Sequence, residues 1–366
     1  MKVLHVDPEH TFGGGETQVL ALVTHLREHG HTSILTTPTN GELGTRAAAA
    51  GFTVEDLQAS FGHDPRGGLV LRRLCSRHAP DLVHFHTARA LSLAAYRPGA
   101  TPAVVTRRMD YAPRGARPYV GWLYDQVDAI IAVSHAARAA METRGIAAAR
   151  VAVVPSGVAV DHFARADRAR ARAELSIDGD RPVVSIVGSL HARKGHAILF
   201  RALAAMHASG LRPLCLAAGE GPEHEALETQ ARALGLGSDV RLLGHIEDVL
   251  PVLAAADVVA QPSLAEGLGV AAVEGMASGR PVVASRVGGL METIRPDVEG
   301  LLVPIGDVEA LSAALVQCLR DTALRDRLGA AGRLRAKQFS TEAMARGNEA
   351  VYERLLAARA GGGPDS

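Results

Sequence analysis

Cysteine is nearly absent from this chain of 366 residues: Cys75, Cys215 and Cys318 stand far apart, with no metal-like spacing between them. So sparse and odd a count excludes a disulfide framework and points to a reducing compartment. Aromatic residues make up only 4% of the chain, so the core has to be built from Ala, Val and Leu, with helices lying close on sheets. No window approaches 18 uncharged apolar residues, which excludes a membrane-spanning helix. The N-terminal run Met1-Lys-Val-Leu-His-Val-Asp7 lacks the long apolar region of a secretory signal and leads straight into a strand. The expected location is cytoplasmic, with room for peripheral contact at the inner face of a membrane. An excess of charge is missing too. Lys plus Arg and Asp plus Glu both number 39, so no global electrostatic footprint for nucleic acid exists, and no nucleic-acid partner is expected. Arginine dominates the cations, and its planar fork suits bidentate phosphate contacts.

What is present is an α/β pattern. The length exceeds what one hydrophobic core usually serves, so two domains are expected. Short apolar strands at 3–6, 33–36, 82–86, 103–106, 129–133 and 151–154 alternate with amphipathic helices, which argues for parallel sheets. In the helix expected over 16–29, Val19, Leu22, Val23 and Leu26 fall at helical spacing and Gly30 stops the run. A polar stretch at about 161–181 reads as a connector carrying a short helix. The alternation then restarts at 183–187, 214–217, 240–243, 257–261, 281–284 and 301–303. The expected organisation is a Rossmann-like domain over 1–165, a second one over 166–340, a helix over 341–360 packing back toward the first domain, and a disordered tail over 361–366. Two parallel-sheet halves would face each other across a cleft. Because ligands bind beyond the C-terminal ends of parallel strands, the loops after strands are where chemistry is expected.

The most informative loop contains two glutamates, in Pro262-Ser-Leu-Ala-Glu266-Gly-Leu268-Gly269-Val-Ala-Ala-Val-Glu274. Glu266 is expected at a strand-to-helix turn and Glu274 about two turns inside the helix. Eight helical residues span roughly 12 Å, enough to reach both ends of a sugar–diphosphate–ribose. The diphosphate would then meet free backbone N–H groups and the positive end of the helix dipole. The plainer alternative is a solvated glutamate at a helix start beside an unrelated second one.

Other loops add polar groups of the same kind. The strand at 183–187 runs into Gly188-Ser-Leu-His-Ala-Arg193-Lys194-Gly195. Its glycine permits close ligand approach, and its two cations could stabilise a departing diphosphate. Taken alone, Arg193 and Lys194 could equally be a solvated pair. Gly219-Glu-Gly221 lacks the third glycine of the dinucleotide fingerprint and reads as a tight turn. Gly13-Gly14-Gly15 follows the first strand but matches neither that fingerprint nor the P-loop, which excludes dehydrogenase and ATPase mechanisms. His84 and His86 point to one face of their strand, with His86 at its end. A zinc site would need a further ligand, and none lies at a recognisable spacing. Arg107, Arg108 and Asp110 follow the strand at 103–106 and are candidate acceptor contacts. Asp178-Gly-Asp180 reads as a turn, and no metal is assigned to it.

As an ordered set, these loops resemble the retaining GT-B glycosyltransferases of family 4 over nearly the whole chain, to about residue 350. The set runs Gly13-Gly14-x-Glu16, Asp81-Leu-Val-His84-x-His86, Val133-Ser134, Val154-Pro-Ser-Gly157-Val158, Gly188 with Arg193-Lys194-Gly195, Gly219-Glu-Gly221-Pro222, the Glu266/Glu274 element, and Val287-Gly-Gly289 with Glu292. The resemblance implies a nucleotide-sugar donor (a UDP-, GDP- or ADP-sugar) bound mainly by the second domain. Arg193 and Lys194 would hold the diphosphate, Glu266 the sugar hydroxyls, and Glu274 the ribose, with backbone amides near Leu268 and Gly269 assisting. Gly244-His245-Ile246 would pass the base. Gly13 and Gly14 would approach the phosphates, and His86 would sit near the reacting sugar and the acceptor. The implied reaction retains anomeric configuration, needs no metal or other cofactor, and delivers the sugar to a sugar, lipid-linked or small-molecule acceptor, as in cell-envelope polysaccharide, lipopolysaccharide or glycolipid synthesis.

This chain departs from the family pattern in three places. Leu268 stands for the commoner Phe. Ser156 and Ala159 replace an Asn and an Asp near the hinge. Two arginines follow the strand at 103–106, which points to an anionic acceptor. Two alternatives stay open. One is a GT-B sugar-nucleotide epimerase, although no acid/base cluster suited to it stands out. The other is a non-catalytic sugar-nucleotide-binding protein, against which the retention of Arg193, Lys194, Glu266 and Glu274 together argues.

Overall fold

Residues 1–57, 64–99, 101–113 and 115–361 are described by the structure, a computed structural model of the chain. The strands form where apolar runs are buried on both faces, the pattern of a parallel sheet covered by helices. In chain order they are β1 (Lys2–Val6), β2 (Thr32–Thr37), β3 (Thr53–Asp56), β4 (Leu82–Phe85), β5 (Ala103–Arg107), β6 (Ala129–Ala132) and β7 (Val151–Val153). The series continues with β8 (Val183–Val187), β9 (Leu214–Ala218), β10 (Val240–Leu242), β11 (Val258–Gln261), β12 (Val282–Ser285) and β13 (Gly300–Val303). The first seven make one parallel sheet in the order β3-β2-β1-β4-β5-β6-β7. The other six make a second in the order β10-β9-β8-β11-β12-β13.

Each sheet grows outward in both directions from a central pair. The order reverses between β1 and β4 in the first and between β8 and β11 in the second. Chain leaving the C-terminal ends of such a pair diverges to opposite faces and opens a crevice. The glycine loop follows β1, His86 follows β4, Lys194 lies in the loop after β8, and Glu266 follows β11. All four candidate motifs therefore flank a topological switch point.

Contacts divide the chain into two units. One comprises Met1–Gly157 together with the chain from Thr341 onward, the other Val158–Ser340. The break thus precedes the 165/166 position read from the sequence. The polar stretch after Val158 is no free connector. Its helix Arg168–Glu174 packs into the second unit, where Ala171 joins a core with Val183, Leu214 and Ala255. Arg168 binds Asp257 at 3.0 Å, and Arg172 donates to the carbonyls of Gly179 and Arg181. In the first unit, helix Thr341–Gly361 lies against helix Gly14–Glu28. Its Met344, Ala345, Val351 and Tyr352 share a core with Leu22, Leu26, Val104 and Ile131. Of the tail expected to be disordered, Gly361 ends this helix and residues 362–366 lie outside the described residues.

Strand β3 has no counterpart in the sequence reading. It is an edge strand of four residues, Thr-Val-Glu-Asp, without the apolar run that marks a buried one. No helix among the described residues is long and apolar enough to cross a membrane.

Candidate active site

In the second unit the loop after β8 makes a single 3-10 turn, Ala192–Lys194, and then Gly195 adopts the left-handed conformation (φ 77°) before helix His196–Ala208. A Cβ at Gly195 would stand 2.0 Å from the carbonyl oxygen of Pro262, so only glycine lets this loop lie on the loop after β11. The amide of Leu264 donates to the carbonyl of Arg193 at 2.7 Å and ties the two loops together. Lys194, one of three lysines in the chain, thereby meets Glu266: Nζ to Oε2 is 2.6 Å, with the side chains 14% and 10% exposed. Ser263 Oγ (3.2 Å) and Gln261 Nε2 (3.5 Å) donate to the same oxygen. Arg193 makes no side-chain hydrogen bond or ion pair among the described residues, so its guanidinium is available.

Helix Val270–Ala277 starts after Gly269, whose φ is 93°. Glu266 therefore lies in the loop ahead of the helix, and Glu274 is its fifth residue rather than two turns in. The roughly 12 Å helical spacing read from the sequence does not apply, because the left-handed Gly269 stands between Glu266 and the helix start. The amides of Leu268 and Gly269 donate to nothing among the described residues, as expected of a helix start. Leu268 itself is a core side chain. Thr293 Oγ1 donates to its carbonyl at 2.8 Å, and Gly289 packs so closely that a Cβ would sit 2.2 Å from the oxygen of Gly267. Burial, and then repulsion from Asp248, push the Glu274 carboxyl up to about 8, with Lys194 pulling the other way. A Cβ added at Gly188 would lie 3.6 Å from the Lys194 side chain. Exposed His245 donates its amide to Glu220, and Ile246 is partly buried against the core. Gly219 and Gly221 are tight-turn residues, and a Cβ at Gly219 would strike the oxygen of Gly188 at 2.0 Å.

In the first unit Gly13 and Gly14 are exposed, and Gly13 precedes helix Gly14–Glu28. The Glu16 carboxylate accepts the Gly13 amide at 2.8 Å. Arg108 Nη1 donates to the carbonyl of Gly15 at 2.9 Å and so braces the glycine loop. Arg107 is buried and donates to the carbonyl of Tyr111 at 2.6 Å. Each arginine thus already holds a backbone carbonyl, and Asp110 follows them at the end of β5. Asp7 is a candidate site residue that sequence reasoning misses. Burial and then the neighbouring Glu16 push its carboxyl up to about 7. Its signal is its place just past β1, beside the glycine loop.

The fold also supplies a third histidine. His5, on β1, lies with His84 and His86 of the neighbouring strand, all three buried and with ligand atoms within 4.8 Å of one another. Sequence spacing hides this, because the partners meet only through the β1–β4 pairing. His84 spends both ring nitrogens, on Tyr352 Oη (2.6 Å) and Thr106 Oγ1 (2.7 Å). The cluster is therefore a hydrogen-bonded network, and a metal would have to displace those partners. Burial holds His5, His84 and His86 below the usual imidazole range.

Two family models match the chain: Glycosyl transferases group 1 over residues 167–335 and Glycosyltransferase Family 4 over residues 12–162. A D-inositol 3-phosphate glycosyltransferase from Nocardia farcinica is 33% identical over 297 residues, covering 77% of this chain and 64% of the relative. The lipopolysaccharide core biosynthesis glycosyltransferase LpsE of Rhizobium meliloti is 37% identical over 189 residues, covering 51% of this chain and 53% of LpsE. The chain thus spans about half to two thirds of the length of the curated relatives it matches. Among solved structures, Anabaena HepE in complex with UDP superposes with a TM-score of 0.82 at 25% identity, covering 98% of this chain and all of HepE. With two doubly wound parallel sheets and both family models matched in order, the chain belongs to the group 1 glycosyltransferases of family 4 and has their GT-B fold.

Proposed function

We propose that the protein moves a sugar from a nucleotide-sugar donor to an acceptor hydroxyl with retention of anomeric configuration, in cell-envelope polysaccharide, lipopolysaccharide or glycolipid synthesis. The observation that carries the reading is the set of unsatisfied donors in the second unit. Among the described residues the Arg193 guanidinium has no partner and the amides of Leu268 and Gly269 are free at a helix start, while Lys194, already paired with Glu266, stands beside them. A diphosphate is the ligand that uses all of them. Glu266 would accept sugar hydroxyls and Glu274 the ribose hydroxyls. His86 and the Gly13–Gly14 loop are the first unit's assigned contributions.

In the proposed reaction the bond from the anomeric carbon to the diphosphate oxygen breaks and the acceptor oxygen bonds to the same face. The acceptor proton passes to the departing phosphate. Arg193 and Lys194 stabilise the charge that grows on that phosphate, which is the role a divalent cation would otherwise fill. HepE, which binds UDP, and the lipopolysaccharide and inositol phosphate relatives support a nucleotide donor and an envelope or small polar acceptor.

A thermal-shift screen of UDP-, GDP- and ADP-sugars tests the donor. A ligand at 100 times its dissociation constant adds about 2.7 kcal/mol to the unit that binds it. Turnover should persist in excess chelator, and NMR of the product should show the donor's anomeric configuration. Absence of binding by every sugar nucleotide, or an inverted product, would overturn the proposal.

A further inference from the structure

His86 is held from two sides. Its ring packs against His84, centroids 4.0 Å apart, and His84 is itself pinned by Tyr352 and Thr106. Packing fixes where the ring lies but not which nitrogen carries the proton. A neutral imidazole has one N–H and one acceptor nitrogen, and the hydrogen bond at one decides the other. Among the described residues one group alone bonds a ring nitrogen of His86: His5 Nδ1, 3.0 Å from His86 Nε2, with the ring planes 17° from parallel. The remaining nitrogens, His5 Nε2 and His86 Nδ1, have no partner among the described residues.

One hydrogen has to lie between the two bonded nitrogens. Burial pushes His5 down to about 3 and His86 well below its usual range, so each ring carries a single proton. Two arrangements remain. If His86 donates, His5 is left with a buried N–H that no acceptor reaches. If His5 donates, His5 is left with a bare lone pair and the unmatched N–H falls on His86 Nδ1 instead. One N–H is left over either way, and because an orphaned buried N–H is costly, the favoured arrangement puts it where an acceptor can reach it. Both rings are 1% exposed, but His5 sits within β1, flanked by β2 and β4. His86, at its strand end, also lines a cavity of about 20 Å³ with Thr106, Arg108, Ser156 and Asn348, enough for one water.

We propose that His5 is a positioning residue for His86: its Nδ1–H donates to His86 Nε2 and thereby makes Nδ1 of His86 the hydrogen-bond-donating nitrogen available to an oxygen of the sugar substrate. His86 then gives a hydrogen bond and takes no proton from the acceptor. The contact with sugar rests on the proposed function, but the tautomer does not.

Histidine labelled with 15N in the full-length protein reads the tautomer directly through two-bond proton–nitrogen correlations. In the wild type, His86 should show a protonated Nδ1 and a bare Nε2. His5→Asn, whose amide restores a donor near the lost Nδ1, should keep that pattern, and His5→Leu should shift His86 toward Nε2–H. A proton on Nε2 in the wild type, or an unchanged tautomer in folded His5→Leu, overturns the inference. With UDP-glucose as the probe, UDP release in His5→Leu should fall roughly 10- to 100-fold in kcat with the UDP dissociation constant unchanged, and His5→Asn should recover most of the loss. Wild-type kcat in His5→Leu beside an impaired His86→Ala overturns the inference alone. An unimpaired His86→Ala instead overturns the role given to His86 in catalysis, and the NMR result still decides the tautomer.

Discussion

Lys194 and Glu266 meet before any substrate arrives, so neither residue acts alone. At 2.6 Å and an effective dielectric near 20, two unit charges attract by about 6 kcal/mol before desolvation is counted. Desolvation of side chains this enclosed returns most of it, and a charged hydrogen bond nets about 1.5–3 kcal/mol. Lys194→Met strips the carboxylate of its cation and leaves it Ser263 at 3.2 Å and Gln261 at 3.5 Å. Breaking a buried pair from one side costs about 3–5 kcal/mol, and the surviving bonds place this case at the low end. Glu266→Gln is milder, because Lys194 can turn toward solvent. In turnover, each single variant should lose at least ~100-fold, the scale for removing one charge-stabilising group. If the two work as a couple, Lys194→Met/Glu266→Gln should fall short of the ~10⁴-fold product by the coupling energy, about 10- to 100-fold. The assay is UDP release from UDP-glucose under saturating donor, with hydrogen exchange on helix His196–Ala208 reporting stability of the second unit. A double variant that loses the full product would refute the coupling, and near-normal turnover in either single variant would exclude the assigned roles.

Three further outcomes can be measured. The Glu274 carboxyl, raised to about 8, is protonated below that pH; if its carboxylate accepts ribose hydroxyls, UDP should bind roughly tenfold more weakly at pH 7 than at pH 9. Glu274→Gln should flatten that profile, and an equally steep profile in the variant would remove Glu274 as its origin. Gly195→Ala puts a Cβ 2.0 Å from the Pro262 oxygen at a left-handed backbone position, so it should displace Lys194 and lower kcat more than it weakens UDP binding. Wild-type kinetics would mean that the two loops do not depend on that contact. Tyr352→Phe leaves a buried ring nitrogen of His84 without its partner and should destabilise the first unit by about 1–3 kcal/mol in urea unfolding. Unchanged stability there would show that the hydroxyl contributes nothing.

Buried parallel strands are legible because both faces are covered and their sequences become continuous apolar runs. Val183–Val187 forms over the residues the pattern marks, and other strands shift by a residue or so at their ends. The edge strand β3 is invisible for the same reason: half-exposed, with Glu55 and Asp56 in a four-residue span, it has no such run. In the candidate site, residues close in sequence to a glycine-rich turn are legible, since Lys194 and Glu266 each sit beside the glycine that shapes their loop. His5 and Asp7 are not. Their neighbours come from β4 and from the glycine loop, and only sheet order brings them together. Nor does the sequence disclose that Arg107 and Arg108 hold backbone carbonyls, because that depends on the path of the chain after β5.

The position of helix Thr341–Gly361 has a consequence for biogenesis. The second unit is one uninterrupted stretch, so it can fold as soon as the ribosome has released it. The first unit, although made earlier, cannot close over Leu22, Leu26, Val104 and Ile131 until Met344, Val351 and Tyr352 have been synthesised. A nascent chain stalled before Thr341 would therefore show that greasy surface to chaperones while its later half is already protease-resistant.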